Sequence, residues 1–175
     1  SKLINKIIVA TSINPKDDVL YDTVLNLGFE CFRGSEKNVL QRYIDTIKTT
    51  PIKTIVRITG DCPLIDPHLV DKVIETYINK NVNYASNIDP PSFPDGMDVE
   101  VIDRNCLEKL PSMSLENSDL EHVTSYIRKS KKFTKANLKA ARDLSKIRLT
   151  LDENLDLKII SSLVDNYEYE SRNDD

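Results

Sequence analysis

The stretch RITGDCPLIDP, residues 57–67, runs an apolar strand-like segment into the carboxylate of Asp61 and resumes it at Pro63–Leu64. An acid at the end of a buried strand costs free energy unless something pairs with it. Asp61 therefore either shapes the turn before Cys62–Pro63, as aspartate does in many turns, or faces a cation or ligand in a cleft. Upstream, KTIVRITG (53–60) has the β-branched density of a strand buried on both faces. Downstream, Asp66 can cap a helix, Pro67 suits its first turn, and Leu69, Val70, Val73, Ile74, Tyr77 and Ile78 form one apolar stripe, which predicts a helix over 66–80.

Working outward, KIIVAT (6–11) and FECFRG (29–34) read as two further buried strands. Ser35 stands where a helix N-cap belongs, ahead of a face made by Val39, Leu40, Tyr43, Ile44 and Ile47. Strand and helix alternating in this way predict an α/β fold, with a mostly parallel sheet flanked by helices. Beyond residue 82 the rhythm loosens. NYASN (83–87) reads as a short strand, IDPPSFPDG (88–96) as a loop, and MDVEVID (97–103) as a strand with one wet face. Ser118 and Glu121 have capping-box spacing ahead of Val123, Tyr126 and Ile127, so one helix is expected to run to about Arg128. KFTKANLK (132–139) and SKIRLTL (145–151) read as strands, LDLKIISSLVDNY (155–167) as a closing helix, and 168–175 as a frayed polar tail.

The 175 residues suit a single domain over 1–175, with 39% hydrophobic and 30% charged residues marking an ordinary globular composition. A net charge of −4 gives a whole-molecule field that favours neither nucleic acid nor an anionic membrane as partner. No apolar stretch has the length of a membrane span, and SKLINKIIVATS lacks the apolar region of a signal peptide. Cys31, Cys62 and Cys106 are odd in number and far apart, which argues against a disulfide framework or zinc site and for the reducing cytoplasm.

In open α/β sheets ligands bind beyond the carboxyl ends of the strands. Thr11–Ser12, Arg33–Gly34–Ser35 and Asp61 all follow such ends, and Asp152 follows KIRLTL in the same manner. Two strand-end carboxylates on one rim could hold a divalent ion against phosphate oxygens. Each residue also has a plainer reading. Asp152 and Ser35 serve as caps, Glu121 has its capping-box spacing, Arg33 is an edge charge, His122 packs, and the basic run RKSKKFTK (128–135) complements a helix end.

Taken together, VATSINPKDD, CFRGSEKNVLQRY, VRITGDCPLIDP, PDGMDVEV, LEHVTSYI and RLTLDENLDL occur in an order that resembles the cytidylyltransferase family. The similarity is to its spore coat polysaccharide type, related to acylneuraminate and 3-deoxy-manno-octulosonate cytidylyltransferases. It spans about Lys6 to Val164. The resemblance implies a nucleotide-diphospho-sugar transferase-like (Rossmann-like) fold that joins CTP to a small sugar with magnesium, giving a CMP-sugar and pyrophosphate. It puts Asp61 and Asp152 at the metal, and Thr11, Ser12, Arg33, Gly34, Ser35 and Gly60 near the nucleotide. Asp95, Gly96, Asp98, Glu100, Glu121 and His122 fall on the sugar side. It assigns no catalytic base and leaves a homodimer open.

Members of this family begin with a strand and a loop of the ARxGSxRxPxK kind that holds the triphosphate. No such loop occurs here, and the four glycines, Gly28, Gly34, Gly60 and Gly96, are scattered. The chain therefore reads as truncated at the N-terminus, with poor activity by itself. Two alternatives remain beside the enzyme: a non-catalytic nucleotide- or sugar-binding or assembly module, and an unrelated magnesium-dependent α/β phosphohydrolase.

Overall fold

A computed structural model describes residues 1–48 and 50–173, with the side chains of 167–173 not considered. The chain forms β1 (Ile8–Ser12), α1 (Asp18–Asn26), β2 (Glu30–Gly34), α2 (Val39–Lys48), β3 (Thr54–Arg57), α3 (Pro67–Lys80) and β4 (Tyr84–Ser86). It continues through β5 (Glu100–Asp103), α4 (Arg104–Lys109), α5 (Asn117–His122), α6 (Ser125–Lys129), β6 (Lys135–Asn137) and α7 (Asn154–Asn173). β1 and β2 pair in parallel, from Ile8 opposite Glu30 to Ser12 opposite Gly34. The other strands lie in the order β3-β5-β4-β6. β5 is antiparallel to both β3 and β4, while β6 is parallel to β4, so β3, β4 and β6 share one direction.

The period-2 alternation of side chains sorts this sheet's residues between two layers. Ile55, Tyr84 and Ile102 face one way and pack with Leu40, Ile44 and Ile47 of α2, Cys106 and Leu107 of α4, and Ile127 of α6. Ala85 and Val101 face the other way, against Leu69, Val70, Val73 and Ile74 of α3. Leu69, Val70, Val73 and Ile74 of the stripe that predicts α3 are thus its buried face, with Tyr77 partly buried beside them, whereas Ile78 is 61% exposed. The Asp66 carboxylate caps the helix by accepting from His68 N at 2.7 Å.

Several expectations need correction. KTIVRITG yields a strand only to Arg57, because Cys62 N bonds to Thr59 O and turns the chain. Asn38, not Ser35, caps α2: its Oδ1 accepts from Gln41 N at 2.9 Å, while Ser35 Oγ accepts from Asn38 N. β5 has no wet face, since Glu100, Val101 and Ile102 are all at most 2% exposed between strands and helices. The helix expected to run to Arg128 is two, α5 and α6. They are broken at Val123, which is fully buried and has φ +61°, and where Thr124 N donates to His122 O at 2.5 Å. The capping box is formed by Glu116 and Asp119, not Ser118 and Glu121. Residues 145–151 form no strand; Arg148 makes only an isolated bridge with Asp95. The closing helix begins at Asn154 and continues to Asn173, over most of the tail expected to fray, whose last two residues lie outside those described. No described helix is long and apolar enough to cross a membrane.

Candidate functional site

The opening question about Asp61 has a structural answer in the turn after β3. Asp61 O accepts from Leu151 N at 2.9 Å, so the turn is tied to the segment leading into α7. That bond places Asp61 and Asp152 on one rim although 90 residues of chain separate Asp61 from Leu151. The side chains are differently occupied. Asp61 Oδ1 receives only the Cys62 thiol, at 3.6 Å. Asp152 Oδ2 accepts from Arg148 Nη2 at 2.8 Å, and the same nitrogen donates to Asp156 Oδ2 at 2.9 Å. Asp156 also accepts from the Asp152 and Glu153 backbone N–H groups, capping α7.

The loop before β5 meets this rim. Asp95 N donates to Ile147 O and Leu149 N to Asp95 O, at 2.9 and 2.7 Å. Gly96 makes that approach feasible: it has φ +94°, and a Cβ there would stand 2.6 Å from Leu149 C. Asp98 is half-buried, and its carboxyl is pushed up to about 6, first by loss of solvent and then by the charges of Asp95, Glu100 and Asp61. Among the described residues no ion pair relieves Asp61, Asp95 or Asp98. Arg57, paired with Glu100, opposes part of that shift, and among the described residues no group of three His, Cys, Asp or Glu is placed to hold a metal ion.

Glu100 does not share that freedom. It is 2% exposed, pairs with Arg57 Nη1 at 2.5 Å directly across the β3–β5 ladder, and accepts the Tyr84 hydroxyl on its other oxygen. Burial first, and then the adjacent Glu100 charge, raises the Tyr84 phenol well above its ordinary range. Arg57 also stands over the Tyr43 ring at 5.9 Å. These partners make Glu100 an internal support beneath Asp98 rather than a side chain open to a ligand.

On the β1–β2 side the polar residues bind one another. The Thr11 and Ser12 hydroxyls donate to Asp17 Oδ2 at 2.9 and 2.6 Å, and Ser12 N donates to the same oxygen at 3.1 Å. These bonds, the Ser12 hydroxyl first, hold the Asp17 carboxyl below its ordinary value. Arg33 donates to Ser12 O and Asn14 O, pairs with Asp18 at 2.7 Å and stands over Tyr21. Arg42 Nη1 donates to Ser35 O at 2.8 Å. Beside them is an open cleft of about 570 Å³ lined by Ile13, Asn14, Pro15, Gly34, Ser35, Glu36 and Lys37. Gly34 and Ser35 therefore do line a cavity, and Gly60 is exposed beside Asp61. Glu121 and His122 are exposed at the end of α5 and take no part in the hydrogen bonds that unite the carboxylate rim. Sequence reasoning missed Arg57, Tyr84 and Asp17. The one signal was Arg57 itself, a charge inside an otherwise apolar strand.

The sequence model of the family described as Cytidylyltransferase matches residues 1–171. The chain belongs to the cytidylyltransferase family. It is 32% identical over 163 residues to the spore coat polysaccharide biosynthesis protein SpsF of Bacillus subtilis (strain 168), covering 91% of this chain and 67% of that one. To the uncharacterized protein MJ1063 of Methanocaldococcus jannaschii it is 36% identical over 166 residues, covering 93% and 67%. Among solved structures, a cytidylyltransferase from Leptospira borgpetersenii serovar Hardjo-bovis superposes with a TM-score of 0.86 at 33% identity, over 91% of this chain and 68% of that one. CMP:2-keto-3-deoxy-manno-octonic acid synthetase complexed with CTP superposes with a TM-score of 0.68 at 10% identity, over 94% and 82%, a likeness of fold. The fold is thus the Rossmann-like α/β fold of this cytidylyltransferase family.

Proposed function

We propose that this chain acts as a cytoplasmic cytidylyltransferase of surface polysaccharide synthesis, transferring CMP from CTP to a small sugar. In that reaction a sugar hydroxyl attacks the α-phosphorus of CTP, the P–O bond to the β-phosphate breaks, and pyrophosphate departs. The observation that carries the reading is the Leu151 N to Asp61 O bond, which brings two carboxylate-bearing turns to one rim. Family membership and the likeness to a synthetase solved with CTP support it.

The residues present suit magnesium, which takes one or two carboxylates and completes its shell with phosphate and water. No described group of three His, Cys, Asp or Glu is placed to hold a metal ion, so the reading rests on one or two carboxylates, with phosphate and water supplying the other ligands. Asp61 would hold the ion directly, with Asp152 joining after release from Arg148. Bound there, the ion would neutralise charge developing on phosphate oxygens. Asp95 and Asp98 would accept from sugar hydroxyls, and Gly34 and Ser35, which border the open cleft, would lie beside the nucleotide. The domain is proposed to extend over 1–175, and a homodimer is consistent with it.

A second reading, a nucleotide- or sugar-binding module without turnover, is favoured by the occupied cations. Arg33 and Arg42 both spend donors on backbone carbonyls, which leaves little to grip a triphosphate. A missing preorganised donor costs about 10²–10³ in rate, so residues 1–175 alone should turn over poorly. The experiment is to incubate the chain with CTP, magnesium and a panel of sugars, following both CTP retention and pyrophosphate release. Magnesium-dependent CTP retention that is lost in Asp61→Asn is expected, with slow or no release. Retention unaffected by Asp61→Asn would refute the metal site, and rapid release would refute the account of the occupied arginines.

A further inference from the structure

Positive charge is strongly segregated in this acidic chain. Residues 128–148 hold nine of the 24 basic residues and one of the 28 acidic ones, so this segment carries +8 within a net charge of −4. The remaining chain therefore carries −12. A net charge taken over the whole molecule conceals that division.

The fold puts most of these cations along one border. β6 pairs with β4 only and is the outermost strand of its sheet. On its inner side the segment is fastened by Leu138 N to Ser86 O, Ala140 N to Ser92 Oγ and Leu144 N to Ser92 O. Lys131, Lys132, Lys135, Lys139 and Arg142 of this segment are all exposed. Lys135 is bound to the Arg128 and Ser130 carbonyls at the end of α6. Lys131, Lys132, Lys139 and Arg142 have no carboxylate within ion-pair distance among the described residues. The acids beside this segment are Asp89 next to Asn137, Asp143, Asp119, which lies 3.8 Å from Lys129, and Asp152 and Asp156, which both pair with Arg148 and take it out of the free charge.

We propose that this border docks the chain on an anionic phospholipid bilayer, with the acidic remainder turned away. Clusters of four to eight Lys/Arg are recognised by acidic headgroups through unpaired charge, without a pocket. Three features favour a bilayer over nucleic acid. The only aromatic residue in the segment, Phe133, is 8% exposed and offers no stacking platform. Lysines, which act as point charges without the bidentate fork of arginine, make up six of the nine cations. Ile147, in the same segment, is 47% exposed and can contact lipid. Lysine on an edge strand also discourages strand-to-strand association, but one or two suffice for that, and Lys131, Lys132 and Arg142 lie outside β6.

The test floats the chain with phosphatidylcholine vesicles that contain or lack phosphatidylserine. Co-flotation only with phosphatidylserine, released by high salt as screening predicts, is expected. Lys131→Gln, Lys132→Gln, Lys139→Gln and Arg142→Gln, introduced stepwise at exposed positions, should each weaken partition about fivefold at unchanged circular dichroism. Equal partition of the fourfold variant would overturn the proposal, as would no partition at low salt. So would single-stranded RNA that holds the chain more tightly than the vesicles. Aggregation of the variant with unaltered vesicle binding would assign the lysines to edge protection instead.

Discussion

The two halves of the strand-end rim handle polar residues in opposite ways. After β1 and β2, Thr11 and Ser12 bond to Asp17, and Arg33 bonds to Ser12 O and pairs with Asp18. After β3, Asp61, Asp95 and Asp98 make no ion pair among the described residues, and the Asp98 carboxyl is raised by burial first and then by its acidic neighbours, with Arg57 opposing the shift. Residues that have spent their donors and acceptors hold the fold, whereas residues left in mutual repulsion are held by it. The difference separates architecture from a binding site more sharply than position at a strand end does.

The largest expected effect tests what supports the unrelieved half. Arg57→Met leaves Glu100 buried without its partner, which should destabilise the fold by about 3–5 kcal/mol in urea unfolding. A loss below about 1 kcal/mol, the scale of an exposed pair, would show Glu100 to be reached by water. The comparison would then lose its internal prop.

The locked half predicts a smaller, purely structural change. Asp17→Ala removes the acceptor for three donors and should lower the urea midpoint, by less than Arg57→Met does. Magnesium-dependent CTP retention should persist in material that remains folded. If stability were unchanged and retention lost, Thr11, Ser12 and Asp17 would belong to the site after all.

The smallest effect has the opposite sign. Asp98 has a folded value near 6 against an ordinary 3.8, so the folded state holds its proton more tightly than the unfolded chain does. Stability from this group is therefore full below about pH 3.8 and is lost as pH rises through 6. Asp98→Asn should accordingly stabilise the chain at pH above 7 by about 1 kcal/mol, discounted for partial exposure, with the gain vanishing near pH 4. Thermal unfolding at the two pH values measures it. A variant less stable at neutral pH would mean that Asp98 has a cation partner, and the contrast between the halves would disappear.

Much of this was legible in local chemistry. Leu69, Val70, Val73 and Ile74 of the stripe became the buried face of α3 because a 3.6-residue period fixes which side chains share a side, although Ile78 at its end is exposed, and Asp66 and Pro67 fix where that helix starts. The β-branched runs became β1 and β3, and the six motifs in order led to the family to which the chain belongs. What the sequence could not determine depended on distant partners. MDVEVID alternates as a half-wet strand would, yet Arg57 and Tyr84 bury Glu100, and only their pairing across the sheet makes that tolerable. The break at Val123 arose because Asp119 takes Glu116 N and the Ser125 hydroxyl, holding α5 and α6 at a corner that no helix propensity foretells. Which strand-end residues are spent and which are free likewise belongs to tertiary structure. A carboxylate reads the same in every sequence, and its partners across 90 residues of chain decide whether it caps, props or binds.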